Sequence, residues 1–295
     1  MITFEDVYIK AQYLSGSTNS ADLVQLKQDV NIGYQRFNAA IARYFTRKQL
    51  FTDIVANQQY YQVPIDTIKV MTVTVKLSTT YQYPLTQIRD EMEWRNMNIY
   101  PYPSNYIWNY FVLGNDQIGL YPIPSTTVSN GLRFVYQPQD VDMTKDDYTT
   151  GTASIAVGDV TVTGVGTTWD QTHVGMQFQI TDGTDGNWYE IDSVTNTTTL
   201  VIKTPYAGVV SASAAGYRLG QVFIFPGEYD DVPVDYALAR FFESRNNATR
   251  AQYHKTKYDM AVKDAIEKYS SSSTSNVITG ESDGLNLWWA PPIPG

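Results

Sequence analysis

A chain of 295 residues, 43% of them hydrophobic, can build one large domain or two ordinary ones around a sizeable core. It has no cysteine, which excludes disulfides, thiolate catalysis and Cys-ligated zinc, and no apolar run approaches the roughly 20 residues of a membrane span. The formal charge of −9 argues against a dedicated nucleic-acid-binding face and suits a surface that DNA passes without sticking.

Charged residues are only 17%, below the roughly 25% of an average domain, while Tyr reaches 23. Tyr joins a large apolar body to a polar tip, which suits surfaces buried in assemblies as well as the solvent side of strands. The start, Met1-Ile2-Thr3-Phe4-Glu5-Asp6, lacks the basic and apolar stretches of a signal peptide. A soluble protein, cytoplasmic when made, is therefore expected.

Phe4, Val7, Tyr8, Ala11 and Leu14 recur at helical spacing, with Thr3 and Asp6 as a loose capping box. Residues 16–19 break this helix. Ser20 opens a second, whose stripe is Leu23, Leu26, Val30, Tyr34, Phe37, Ile41 and Phe45. Arg43, Arg47 and Lys48 then fall where cations suit its C-terminal dipole. From Phe51 the period shortens, and a strand carrying Tyr60, Tyr61 and Val63 ends at Pro64. Val70, Thr72, Thr74 and Lys76 alternate with Met71, Val73, Val75 and Leu77, as in a half-buried strand.

Residues 85–97 read as a short helix. The loop from Tyr100 becomes a strand by Phe111, and Asn115-Asp116 turns it into a hairpin with residues 118–121. Pro122 and Pro124 close that strand. Asn130-Gly131 reads as the turn into a strand over 132–136.

Between 151 and 217 the chain is rich in Thr, Val, Gly and Asp and carries one clear cation, Lys203. Short strands at 153–156, 160–163, 177–181, 188–194, 199–203 and near Tyr217 alternate with Gly-Asp turns, the pattern of a small β-sandwich or barrel. Residues 222–225 read as a strand leaving it. Two helices follow, one with Pro233 in its first turn, the other over 248–269, separated by Asn246-Asn247. Asp230-Asp231 reads as a helix cap. Ser270-Ser-Ser-Ser-Thr-Ser275 is a flexible linker by composition. Beyond it, Leu285, Leu287, Trp288, Trp289, Pro291, Pro292 and Ile293 make an apolar, proline-stiffened end. Burying one such aromatic is worth roughly 1.5–3 kcal/mol, so this end is expected to dock on a neighbouring subunit rather than fold back.

Catalytic signals are sparse. His173 and His254 have no His or Cys companions for zinc, and no Gly-x-Ser-x-Gly elbow is present. Asp182-Gly-Thr-Asp-Gly-Asn187 resembles a calcium loop but lacks the spaced Glu, and reads better as a β-turn. Gly164-Val-Gly166 is too short for a phosphate cradle. The cations Arg240, Arg245, Arg250, Lys255, Lys257, Lys263 and Lys268 are interleaved with acids, as on a solvated face; a contact with an acidic subunit or DNA is the sharper alternative. No catalytic, metal or cofactor-binding residue is therefore assigned.

The layout is α+β: a discontinuous helical bundle from both chain ends, a mixed β middle, and an inserted small antiparallel β-sandwich or barrel. The expected divisions are a helical/β core at 1–148 and 218–270, a β-module at 149–217 and an extended arm at 271–295. This layout resembles phage head-to-tail connector or adaptor (neck) proteins. The insert is similar to a β-module of phage virion proteins, through Thr163-Gly-Val-Gly-Thr167, Val174-Gly175, Tyr189-Glu-Ile191 and Pro205-Tyr-Ala-Gly208. The resemblance implies a non-enzymatic subunit of a homo-oligomeric ring, a dodecamer by family, placed between the portal protein and a tail or nozzle protein. DNA would cross it without sequence-specific binding, no membrane or cofactor would be involved, and the location would be the virion neck or tail. The alternative is a tail-associated carbohydrate-binding or host-recognition protein, in which Trp169, Trp188 and Tyr189 stack on sugars. A tail glycan hydrolase is a third, remote reading.

Overall fold

The computed structural model describes residues 1–76, 81–114, 116–182 and 186–270. Helix α1 (Phe4–Ser15) starts with a true capping box: the Thr3 hydroxyl accepts from the Asp6 N–H, and the Asp6 carboxylate accepts from the Thr3 N–H. It stops at Gly16, whose φ of 71° a side chain rarely adopts. Helix α2 (Ser20–Ala40) is capped by Asn19 and buries Leu26, Val30, Tyr34 and Phe37 as its stripe predicts.

Helix α2 ends earlier than the periodicity suggests. Ala42 and Arg43 both have φ of 51°, and the Arg43 N–H bonds back to the Asn38 carbonyl at 2.8 Å. Tertiary contacts hold this end. Asn38 donates to Asp140 and to Thr46, and Arg43 pairs with Asp140 at 2.9 Å. Arg43 therefore answers a carboxylate instead of the helix dipole, and Lys48 begins a strand and pairs with Asp66.

The middle of the chain forms two small sheets around one core. In chain order these strands are β1 (Lys48–Ile54), β2 (Tyr60–Gln62), β3 (Thr67–Lys76), β4 (Gln82–Pro84) and β5 (Thr86–Ile88). After helix α3 (Glu91–Met97) come β6 (Pro103–Ser104), β7 (Asn109–Leu113), β8 (Gln117–Tyr121), β9 (Ile123–Pro124) and β10 (Val128–Pro138). One sheet runs β1-β10-β3-β4, the other β2-β8-β7-β5, and β6 pairs with β9. Val73, Val75, Tyr110, Ile118, Leu120, Leu132 and Phe134 fill the space between the sheets.

Three local readings change here. The helix read at 85–97 begins only at Glu91, because the Thr86 N–H bonds to the Trp108 carbonyl and β5 joins β7 in parallel. Strand β3 bulges at Met71, so Val70 buries on the same side as Val73 and Val75. Asn130-Gly131 lies within β10 as a bulge, its Asn130 N–H held by Asp53 at 2.7 Å. The hairpin of β7 and β8 forms as read.

Seven further strands make one antiparallel sheet: β11 (Thr152–Ile155), β12 (Thr161–Val165), β13 (Gln177–Ile180), β14 (Tyr189–Asn196), β15 (Thr199–Ile202), β16 (Ala212–Ala215) and β17 (Tyr217–Gly220). The sheet curls as a half-barrel around Trp169, Phe178, Ile191, Leu200, Tyr206 and Leu219. The stretch at 222–225 is not a strand in its own right. Val222 makes a single bridge to Thr3, and Phe223 and Phe225 plug into the helical core.

Helix α4 (Val232–Ser244) packs against α1, α2 and α5 (Ala248–Ala265), so the bundle draws on both ends of the chain and the fold is α+β. Phe4, Val7, Val30, Phe37, Ala237, Leu238 and Phe241 form its centre. Asp231 occupies the N-cap position of α4 without capping it; its carboxylate takes Lys10 of α1 instead. Helix α2 comes close to α4 at Gly33, where an added Cβ would lie 2.9 Å from Cβ of Tyr236.

Gly33→Ala gains about 1 kcal/mol of helix propensity but pushes α2 off α4. We expect a net loss of about 1–2 kcal/mol, read as a lowered denaturation midpoint at unchanged slope.

Candidate interaction surfaces

The aromatic residues divide into two populations. In the curled sheet they are internal. Trp169 is 1% exposed and donates from Nε1 to the Tyr217 hydroxyl at 3.0 Å, which donates onward to the Thr150 carbonyl at 2.6 Å. Tyr189 is buried, and its hydroxyl accepts the Ala207 N–H at 2.9 Å. Two of the three residues read as a sugar-stacking platform are thus core, and Trp188 is left half-buried beside them. The Thr-Gly-Val-Gly-Thr motif serves the same core. A Cβ on Gly164 would strike Thr167 and the Trp169 ring, and Thr167 ties to the Thr197 carbonyl at 2.7 Å. Gly208 leaves room for the Tyr206 ring in the same way.

Around β6–β9 the aromatic residues point outward. Tyr100, Tyr102, Tyr106 and Trp108 are exposed, Trp108 by 43%. Tyr102 and Trp108 each stand nearly perpendicular to the Tyr121 ring, at 83° and 81°. Two main-chain bonds and one side-chain bond fix this face: Trp108 N–H to Tyr121 O at 3.1 Å, Ile123 N–H to Tyr102 O at 3.1 Å, and Ile107 N–H to the Tyr83 hydroxyl at 3.2 Å. A rigid aromatic patch in water is the kind of surface that partners cover.

A second constellation joins the curled sheet to α1. The Arg218 guanidinium on β17 contacts Asp6 at 2.7 Å, the Thr3 hydroxyl at 2.8 Å and Asp147. Thr3 donates to Asp147 at 2.9 Å, and the Asp147 N–H bonds to Glu5 at 2.6 Å. Beside it, Gln221 accepts the N–H groups of Thr144 and Lys145 and donates to the Asp142 carbonyl. Tyr148 and Leu219 exchange main-chain bonds at 2.9 Å. The chain thus enters and leaves the curled sheet through two strands clamped side by side.

The two carboxylates on Arg218 respond in opposite senses. Burial pushes Asp147 up, outweighing the pull of Thr3 and Arg218. Burial also opposes the Asp6 charge, but Arg218 overcomes it and the pKa falls below the usual value. Asp147, with a side chain only 3% exposed, is the more costly partner.

The other sites read from the sequence resolve locally. His254 lies 2.7 Å from Asp235 and stacks on Phe242, joining α5 to α4; His173 turns back to Asp170. Among the described residues no three His, Asp or Glu side chains group together as a metal site. Asp182 accepts the Gly216 N–H at 2.6 Å, and residues 183–185 of that loop lie outside the described residues. Arg240 pairs with Asp29 and Arg245 with Asp22, bracing α4 on α2, while Lys268 pairs with Asp264 and Glu228. The end of the chain read as an arm, with Leu285, Leu287, Trp288, Trp289, Pro291, Pro292 and Ile293, lies outside the described residues. The aromatic face at 102–121 went unread, although its Tyr-Pro-Tyr-Pro and Tyr-Ile-Trp spacing was available as a signal.

A family model described as SU10 adaptor protein matches residues 2–165, from α1 through β12. No curated protein matches the chain.

Removing the guanidinium leaves Asp147 buried without its countercharge. Arg218→Met should cost about 3 kcal/mol at pH 7, the lower end for a broken buried pair because Arg218 is partly solvated. The raised Asp147 pKa means its charge is a burden above that pKa and none below it; the lowered Asp6 pKa means its benefit in the parent is lost as pH falls. Both trends narrow the gap in acid. Thermal unfolding of parent and variant at pH 7 and about 3, below the ordinary carboxylate range, should show that narrowing; a gap that widens in acid would refute the assignment.

Proposed function

Because the chain belongs to the SU10 adaptor protein family, whose members are phage structural adaptors, we propose that it is a ring subunit joining the portal to the tail. The carrying observation is the family match over more than half the chain, from the first helix of the bundle into the curled sheet. The ring is a homo-oligomer, by resemblance a dodecamer, with the portal protein on one side and a tail or nozzle protein on the other. It forms part of the DNA passage in the neck of the virion.

Several physical features support this reading. A closed ring needs heterologous contacts, one face of each copy meeting a different face of the next. The outward Tyr102, Tyr106 and Trp108 of the β-rich middle, and the exposed Ile9 and Tyr13 of α1 and Tyr253 and Met260 of α5 in the bundle, offer apolar surface on separate elements. The charge of −9 keeps the phosphate backbone from adhering during transit. In this reading residues 149–217 are an inserted module on the 1–148 and 218–270 core, and 271–295 is an arm that grips a neighbour.

Purified protein, alone or with its portal, is expected to form closed rings in electron micrographs, and neck density in virions should be absent without it. Deleting residues 276–295 should weaken attachment while leaving the folded core intact. A chain that stays monomeric with the portal present, or that maps to the distal tail, overturns the proposal.

A further inference from the structure

We propose that the aromatic face of Tyr102, Tyr106, Trp108 and Tyr121 receives the proline-rich end, residues 285–293, of a neighbouring copy; this rests on the ring reading above. The face has the chemistry that binds such a segment. Aromatic side chains standing at right angles to one another offer flat walls for proline rings, and a proline-rich strand arrives already extended, with little entropy left to lose. The receiving side is also pre-formed. Its backbone is pinned at Trp108, Tyr102 and Ile107 by bonds of 2.8–3.2 Å to neighbouring strands and to Tyr83. Little ordering cost therefore falls on either partner.

The donor is identified by composition and by where the helix delivers it. Trp288 and Trp289 stand directly before Ala290-Pro291-Pro292-Ile293, so stacking and proline recognition occur within one short segment. Tyr269 packs on Phe45 at 4.7 Å and on Tyr44 at 5.4 Å, immediately ahead of β1. The bundle thus releases the chain at the Lys48 end of β1, while the aromatic face adjoins residues 57–59 beyond its other end. Residues 271–287 can extend at most about 60 Å, more than twice the roughly 23 Å length of the seven-residue strand β1. Passed from copy to copy, the contact gives each subunit one end to donate and one face to fill, the heterologous arrangement that closes a ring.

The absence of native cysteine makes the test direct. Full-length Tyr106→Cys and full-length Ile293→Cys are mixed, allowed to assemble and mildly oxidised, while micrographs of the same sample count rings. The expected product is a disulfide-linked pair containing one chain of each kind. Its yield should drop about tenfold when the first chain also carries Trp108→Ala, as for loss of a central contact residue. Tyr102→Ser serves as a second reporter, with circular dichroism checking that each variant is folded. Rings without the mixed disulfide overturn this inference and leave the ring reading intact. A disulfide closed within single chains carrying both cysteines, with no mixed pair, shows the end packed at home and also overturns it. Neither rings nor cross-links sinks both.

Discussion

Arg218 is the point on which the arrangement of this chain turns. Its guanidinium gathers Thr3 and Asp6 from the first helix, and Asp147 from the segment entering the curled sheet, onto the last strand of that sheet. Three stretches of chain far apart in sequence are fixed within one hydrogen-bonded set. The same Thr3 that caps α1 donates to Asp147, so helix initiation and attachment of the sheet share an atom. A purely apolar joint would hold as firmly but could slide; a planar donor with fixed directions sets an orientation. For a structural adaptor, orientation matters as much as strength.

The aromatic residues show how one residue type serves two ends. Trp169, Tyr189, Tyr206 and Tyr217 pack inward and use their polar tips on one another and on the backbone. Tyr102, Tyr106 and Trp108 keep their rings in water, although the backbone beneath them is tied down. Composition alone could not separate these groups. The difference lies in what stands opposite: glycines 164 and 208 make room for Trp169 and Tyr206, whereas Trp108 meets the Tyr121 ring on one side and keeps 43% of its surface exposed.

What the sequence revealed follows from the range of the forces involved. The capping box at Thr3, the stripe from Leu26 to Phe37, the β7–β8 hairpin and the run of short strands after Thr152 are all encoded by neighbours within a few residues. The α+β layout with a bundle from both ends could be read because helical and strand periods alternate cleanly. What escaped was set from afar. The end of α2 is drawn by Asp140, β5 is recruited by Trp108, and the bulge at Met71 answers a strand more than sixty residues later. Asp231 looks like a cap by position, but Lys10 claims its carboxylate. The aromatic face assembles from β-bridged segments whose pairing no periodicity announces.

The distribution of charge completes the picture. Among the cations of the C-terminal helices, Arg240 and Arg245 brace α4 against α2, and Lys268 is held between two carboxylates. Asp29, buried beneath Arg240, has its pKa pushed up by burial more strongly than that cation pulls it down. Cations committed in this way make a weak trap for polyanions, and the remaining surface is acidic overall. Cations answered by carboxylates on the same chain, and a cluster of aromatic rings left partly exposed, suit a surface that meets other proteins. That division of labour follows from where each side chain finds its partner.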